Sequence, residues 1–217
     1  MYDYFFLFQL AALLVYSIQF NKLKGTLYKW FLPYLIVMAV YEFGTFNGWF
    51  TINRSNHWSF NVITTLEFLY YGYVLHRLLR KNKAKRILMS ALCFTLSVTI
   101  LNICFIQGFW KLHTHSYLLQ SAIIIAATCL FFYQLMQNVQ SKIPLFRNPD
   151  FWLCTGLLFY YLGSFMFFAS FSHMAYKGNP NYIMLYQVIY NFYNIILYVC
   201  LINSFLCFRK TKMLSYL

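Results

Sequence analysis

Seven runs of predominantly apolar residues follow one another along the chain, at residues 2–20, 30–50, 58–79, 87–107, 117–137, 151–171 and 182–208. Each is close to the roughly 20 residues a helix needs to cross a hydrocarbon core about 30 Å thick. Charged residues are gathered into the short connections between them. That alternation leaves little choice of fold, because a backbone in lipid must satisfy its own N–H and C=O groups, and a helix does so within each segment. Composition closes off the soluble alternative. Of 217 residues, 61% are hydrophobic and only 10% charged, where a soluble domain carries about 25% charged residues. With 25 Phe, 20 Tyr and 5 Trp, a core of this size cannot hide its apolar surface from water, and a disordered chain would expose still more. The expectation is an all-α, polytopic integral membrane protein, one domain over residues 1–217, with the bilayer as its obligatory partner.

The net charge of +13 is read from its placement. Fourteen of the 17 basic residues fall in alternate connections and at the C-terminus: Lys22, Lys24, Lys29, Arg77, Arg80, Lys81, Lys83, Lys85, Arg86, Lys142, Arg147, Arg209, Lys210 and Lys212. The opposite side has only Arg54, Lys111 and Lys177. Short loops rich in Lys and Arg stay cytoplasmic, so the expected topology puts the N-terminus outside and the C-terminus inside the cell (inner) membrane. The charge excess is thereby an orientation signal, and nucleic acid is not expected as a partner. Trp30 and Trp152 fall at cytoplasmic ends and Trp49, Trp58 and Trp110 at outer ends, the headgroup level that suits an amphipathic ring. The first segment carries Asp3 in place of a basic leader and is expected to remain as a helix. No cysteine pair shows metal-ligand spacing, and neither a metal nor a cofactor is expected. His113 and His115 beside Lys111 are expected to sit in a solvated outer loop.

Fragments recur in order along the chain. Phe8-Gln9-Leu10-Ala11 is similar to Leu119-Gln120-Ser121-Ala122, Tyr41-Glu42-Phe43-Gly44-Thr45-Phe46 to Tyr160-Tyr161-Leu162-Gly163-Ser164-Phe165, and Phe60-Asn61-Val62-Ile63 to Tyr186-Gln187-Val188-Ile189. The matches pair segments one to three (2–79) with five to seven (117–208) and leave the fourth (87–107) as a linker. This plan of parallel repeats resembles that of the SWEET sugar transporters, the PQ-loop proteins and related seven-helix receptors. The resemblance implies two three-helix bundles with a solute site near the midplane. It is architectural only: the Pro-Gln dipeptide that names the PQ-loop proteins does not occur, so no substrate residue is carried over.

Of four acidic residues, Glu42 and Glu67 lie within apolar runs, where an ionised side chain costs at least about 2.5 kcal/mol. At 1.5 Å per residue Glu42 lies about 12 Å below Phe50 and Glu67 about 13 Å below Trp58. Two carboxyls at one depth on consecutive helices can share a proton, or hold a cation, an amine or a hydroxyl. Glu67 continues a stripe of His57, Asn61, Thr64 and Tyr71, one face of a helix at spacings of three and four. Gln187, Asn191, Asn194 and Tyr198 repeat the spacing in the last segment. The expected ligand or ion site comprises Glu67, Glu42, Asn61, Thr64, Tyr71, Gln187, Asn191, Asn194 and Tyr161. An interhelical hydrogen-bond network fits the same stripes. Gln9 and Gln120 are matched polar points suited to packing or to a pore lining.

A retinal Schiff base needs a lysine in the last segment, which has none before Lys210, and nucleotide, hydrolase and metalloprotease signatures do not occur. No catalytic residue is assigned. The expected function is a small-solute carrier or facilitator, coupled to a proton or cation through the midplane site. The rival from another class is a sensory or accessory subunit, including a pore made by oligomerisation. A cytoplasmic protein partner or anionic lipid would then dock on Arg80, Lys81, Lys83, Lys85 and Arg86.

Overall fold

The computed structural model describes residues 4–137, 144–176 and 182–214; the side chains of 171–176, 182–187 and 209–214 lie outside the described residues. Among the described residues the chain is all-α, with α1 (Phe5–Leu23), α2 (Phe31–Phe46), α3 (His57–Leu78), α4 (Asn82–Leu101), α5 (Thr114–Gln137), α6 (Pro149–Tyr176) and α7 (Tyr182–Leu214). Each apolar run has become one helix. Five of them, α1, α4 with its extension to Ile106, α5, α6 and α7, are long and apolar enough to cross a membrane, so this is a multi-pass membrane protein. The other two fall short of that measure for different reasons. Helix α2 has 16 residues, a rise of about 24 Å, and α3 has 22 but carries the polar stripe.

Local chemistry sets the ends. Helix α2 stops at Phe46, short of the expected Phe50, because Gly48 takes φ +74°, a backbone region open to glycine without penalty. Gly48 N–H then donates to Thr45 O at 3.1 Å and Trp49 N–H to Gly44 O at 2.8 Å. This is a Schellman closure, with Trp49 packed edge-on against Phe43 as its apolar contact. A tight reversal follows, Ile52 and Ser55 exchanging two backbone bonds around Asn53 and Arg54 at φ 51° and 64°. Helix α4 begins at Asn82, five residues before its apolar run, so Lys83, Lys85 and Arg86 lie in its first turns. Cations there oppose the helix dipole by about 0.3–1 kcal/mol each, so their placement does not serve the helix itself. At its far end α4 widens into a π-helical turn, Asn102–Ile106. Asn102 Nδ2 donates there to Gln107 Oε1 at 2.7 Å and to Ser116 Oγ at 2.8 Å.

The helices form a ring in the order α2, α1, α7, α6, α5, α3, with α4 braced outside against α3 and α5. The ring is tightest at α6–α7, α5–α6 and α1–α7. Gly163 of α6 leaves the space that the Tyr193 ring of α7 fills. Between α2 and α3 the helices stand apart, and side chains rather than close backbone packing bridge them.

Two clusters tie opposite ends of the bundle. At one, Tyr28 donates to Asp150 Oδ1 at 2.8 Å and receives Ser204 Oγ at 3.3 Å. Burial, and then the Asp150 carboxyl, push the Tyr28 hydroxyl well above its usual pKa, so it remains a donor. Nearby, Arg80 N–H donates to Gln134 Oε1 at 2.9 Å. At the other end the connection 107–113 folds back onto α3. His113 is buried there, which corrects the expectation of a solvated loop histidine; His115 is exposed. With the Thr64 hydroxyl proton directed to Phe60 O, His113 Nε2 lies 3.3 Å from Thr64 Oγ1 as donor. Its Nδ1 is buried without a partner among the described residues. Desolvation lowers the His113 pKa to about 4, so the ring is neutral at physiological pH.

Candidate functional site

The polar stripe of α3 faces the interior of the ring, and the reason is local. Ser59, Asn61, Thr64, Glu67 and Tyr71 are all buried, while Val62, Leu66, Leu69 and Tyr73 on the opposite face are exposed. Helix α2 answers with Tyr34, Met38, Tyr41 and Thr45, spaced four, three and four. Between these faces and α6 and α7 lies a cavity of about 200 Å³ lined by Glu42, Thr45, Asn56, Thr64, Glu67, Tyr160, Tyr190 and Asn194, with Met38, Tyr41, Phe60 and Ile63. Glu42 of α2 and Glu67 of α3 therefore reach one chamber. Its position beside Asn56 and Thr45 places it toward the 47–56 end of the bundle.

Glu67 is held by one strong contact. Tyr34 Oη donates to Glu67 Oε1 at 2.7 Å, and Tyr71 Oη lies 2.7 Å from Tyr34 Oη. A tyrosine hydroxyl has one proton, so with Tyr34 donating to the carboxyl, Tyr71 donates to Tyr34 and the chain runs Tyr71, Tyr34, Glu67. The Tyr34 ring is stacked on Tyr70 at 4.3 Å and 2° between planes, which fixes its direction. Among the described residues no other group hydrogen-bonds the Glu67 carboxyl. Glu42 is partly buried and receives Tyr190 Oη at 3.4 Å; that long contact links α2 to α7. Asn194 Nδ2 donates to Tyr190 O at 2.9 Å.

The residues expected at the site separate into groups. Glu42, Glu67, Thr64 and Asn194 line the chamber. Tyr71 acts behind Tyr34, and Tyr161 packs edge-on against Tyr71 at 6.1 Å; its neighbour Tyr160 takes the lining position. Asn61 is bonded away from the chamber, to the 107–113 connection. Its Nδ2 donates to Phe109 O at 3.1 Å and Lys111 O at 2.8 Å, and its Oδ1 accepts from His113 N–H at 3.2 Å. The amide thereby clamps the 107–113 connection. Asn191 Oδ1 accepts from Phe5 N–H at 3.4 Å, joining α7 to the start of α1. The Gln187 side chain lies outside the described residues.

Gln120 Nε2 donates to Thr99 Oγ1 at 3.1 Å in a ladder between α4 and α5, while Gln9 is buried in α1 with neither amide atom bonded among the described residues. Of the basic strip, Arg80, Lys81, Lys83 and Arg86 are exposed and Lys85 is half-buried. Lys81 Nζ donates to Gln137 Oε1 at 3.0 Å. Among the described residues no three His, Cys, Asp or Glu side chains come together in a way that could hold a metal.

Tyr34, Tyr160 and Tyr190 are site residues that the polar stripes do not reveal. A signal existed: Tyr34, Met38, Tyr41 and Thr45 share one face of α2, and Tyr190 precedes Asn194 by one turn. In a chain with 20 tyrosines that signal is diluted. The chamber offers acceptor-rich chemistry, two carboxyls with two amides and several phenols, and its size suits a ligand of a few heavy atoms. No protein-family model matches the chain, and neither a curated protein nor a solved structure matches it.

Proposed function

We propose that the protein is a small-solute carrier or facilitator of the cell membrane, binding a solute with an amine or hydroxyl group in the chamber among α2, α3, α6 and α7. The observation that carries the reading is that Glu42 and Glu67, from consecutive helices, line one polar chamber. Acceptors of that kind discriminate in favour of a donor or cation, since a buried carboxylate left without a partner is costly. Helices α2 and α3 complete seven crossings in this reading, with the N-terminus outside and the C-terminus cytoplasmic, as the distribution of basic residues favours. Parallel repeats α1–α3 and α5–α7 joined by α4 belong to this reading on the sequence matches alone; α4 packs against α3 and α5 from outside the ring. Movement of α2 against α3 opens and closes the chamber, and protonation of Glu67 couples solute to proton movement.

The test is uptake by proteoliposomes of a panel of labelled short amines and polyols, with and without a pH gradient. At least one solute is expected to enter, and Glu67→Gln is expected to lower its pH-driven uptake by about tenfold or more, as for removal of a charged hydrogen-bond acceptor. Uptake of every transported solute unaltered in Glu67→Gln would sink the proposal. A second reading is favoured by the basic residues of 80–86 before and at the start of α4, four of them exposed and Lys85 half-buried: an accessory subunit that docks an acidic cytoplasmic partner there. Co-purification of a stoichiometric partner, lost when these five residues are neutralised, would favour it over the carrier.

A further inference from the structure

The chamber is not the only space that reaches Glu67. On the outer face of the ring, in the gap between α2 and α3, runs a groove of about 580 Å³ from Trp30 to Glu67. Its walls are apolar, and Trp30, Val37, Leu66 and Tyr73 at its rim are 43–52% exposed, so within a bilayer it opens sideways to lipid. Met38, Ile63 and Glu67 line both groove and chamber. The two spaces thus meet at a carboxyl with a single hydrogen-bond partner among the described residues. Tyr70, also on the groove, buries its hydroxyl oxygen without any partner there. An apolar channel that ends on an acid has the polarity of an amphiphile, reversed in charge.

We propose that the ligand is a single-chain amphiphile with a cationic amine head, which reaches Glu67 sideways from the bilayer. The head sits at the junction, beside Glu67 and within reach of the chamber, and the chain lies in the groove toward Trp30. The groove length supports this: Trp30 to Met38 is eight residues of helix, about 12 Å, which accommodates a chain of moderate length but no large headgroup. Lipid hydrocarbon solvates an apolar groove as well as a ligand chain does, so the groove contributes direction of access and the carboxyl contributes selectivity. This inference rests on the reading of Glu67 as a ligand group.

The experiment uses the full chain in phosphatidylcholine nanodiscs with a medium-chain primary alkylamine, its chain matched to the groove, carrying a diazirine at the chain terminus. After illumination, labelled peptides are mapped by mass spectrometry. Label is expected within residues 30–41 and 62–73, falling about tenfold or more in Glu67→Gln and similarly in Leu66→Trp, which fills the groove. Leu66→Ala, which leaves the groove open, is expected to keep the label and so excludes a folding defect at that position. Label spread over all lipid-facing helices and indifferent to Glu67→Gln and Leu66→Trp would overturn the inference. Propylamine uptake separates the two proposals. If it depends on Glu67 while the diazirine probe never labels the gap, the chamber reading stands and sideways access falls. If neither probe depends on Glu67, both fall.

Discussion

His113 shows how strongly position can decide the behaviour of a single side chain. Its ring is buried against Thr64 while its backbone N–H donates to Asn61, and burial lowers its pKa to about 4 from an unfolded value near 6.5. The unfolded chain therefore binds the proton first as pH falls. Stability from this group is fully present above about pH 6.5 and is lost as pH falls toward 4, a change of about 3 kcal/mol. Thermal unfolding of the purified protein between pH 7.5 and 4.5 should show the decline, and His113→Gln should flatten it; a wild-type midpoint that does not move over this range would refute the assignment. Nothing in the sequence around His113, Lys111 and His115 distinguishes a buried ring from a solvated one. The distinction is made by Asn61, 52 residues earlier, and pairings over such distances leave no periodic trace. The carboxyls were more legible, because an acid inside an apolar run is conspicuous wherever it points.

Among elements, the contrast between α2 with α3 and α6 with α7 is the most informative. In α6, Gly163 admits the Tyr193 ring so closely that a methyl group there would collide with it. Gly163→Ala should lower stability by about 1–3 kcal/mol, the usual effect of overpacking, with the thermal midpoint in detergent as the measure; an unchanged midpoint would mean the two helices slide apart freely. Gly44, its sequence counterpart, is covered instead by Phe50 and Trp49 from the connection after α2, and α2 is left without a close helical neighbour on that side. The existence of all seven helices could be read from hydrophobic run length alone, because a long apolar run is most simply satisfied as a helix that closes its own backbone hydrogen bonds. Their ends could not. The Asn47-Gly48 pair that closes α2 is a recognisable stop signal, but the aromatic residues after it prolong the apolar run to Phe50. Early helix formation at Asn82 was similarly masked by charge.

At the scale of the molecule, the ring has uneven cohesion. Helices α5, α6, α7 and α1 hold one another along their lengths, whereas α2 is secured by α1 on one flank and by Tyr34 on the other. Local opening follows the density of buried contacts, so amides of α2 should exchange with deuterium faster than those of α6 or of 194–205 in α7. Hydrogen exchange followed by mass spectrometry of the protein in detergent would measure this; protection of α2 equal to that of α6 would show that the gap is closed in solution. The arrangement also gives the bundle a front and a back. Most membrane proteins are described by a direction across the bilayer, but a ring interrupted between one pair of helices has a compass bearing within it as well. A neighbour seated along α5 and α6 leaves the interruption clear, while one seated along α2 and α3 covers it. In the proposed sideways entry, lateral crowding, and not only voltage or concentration, governs access to Glu67.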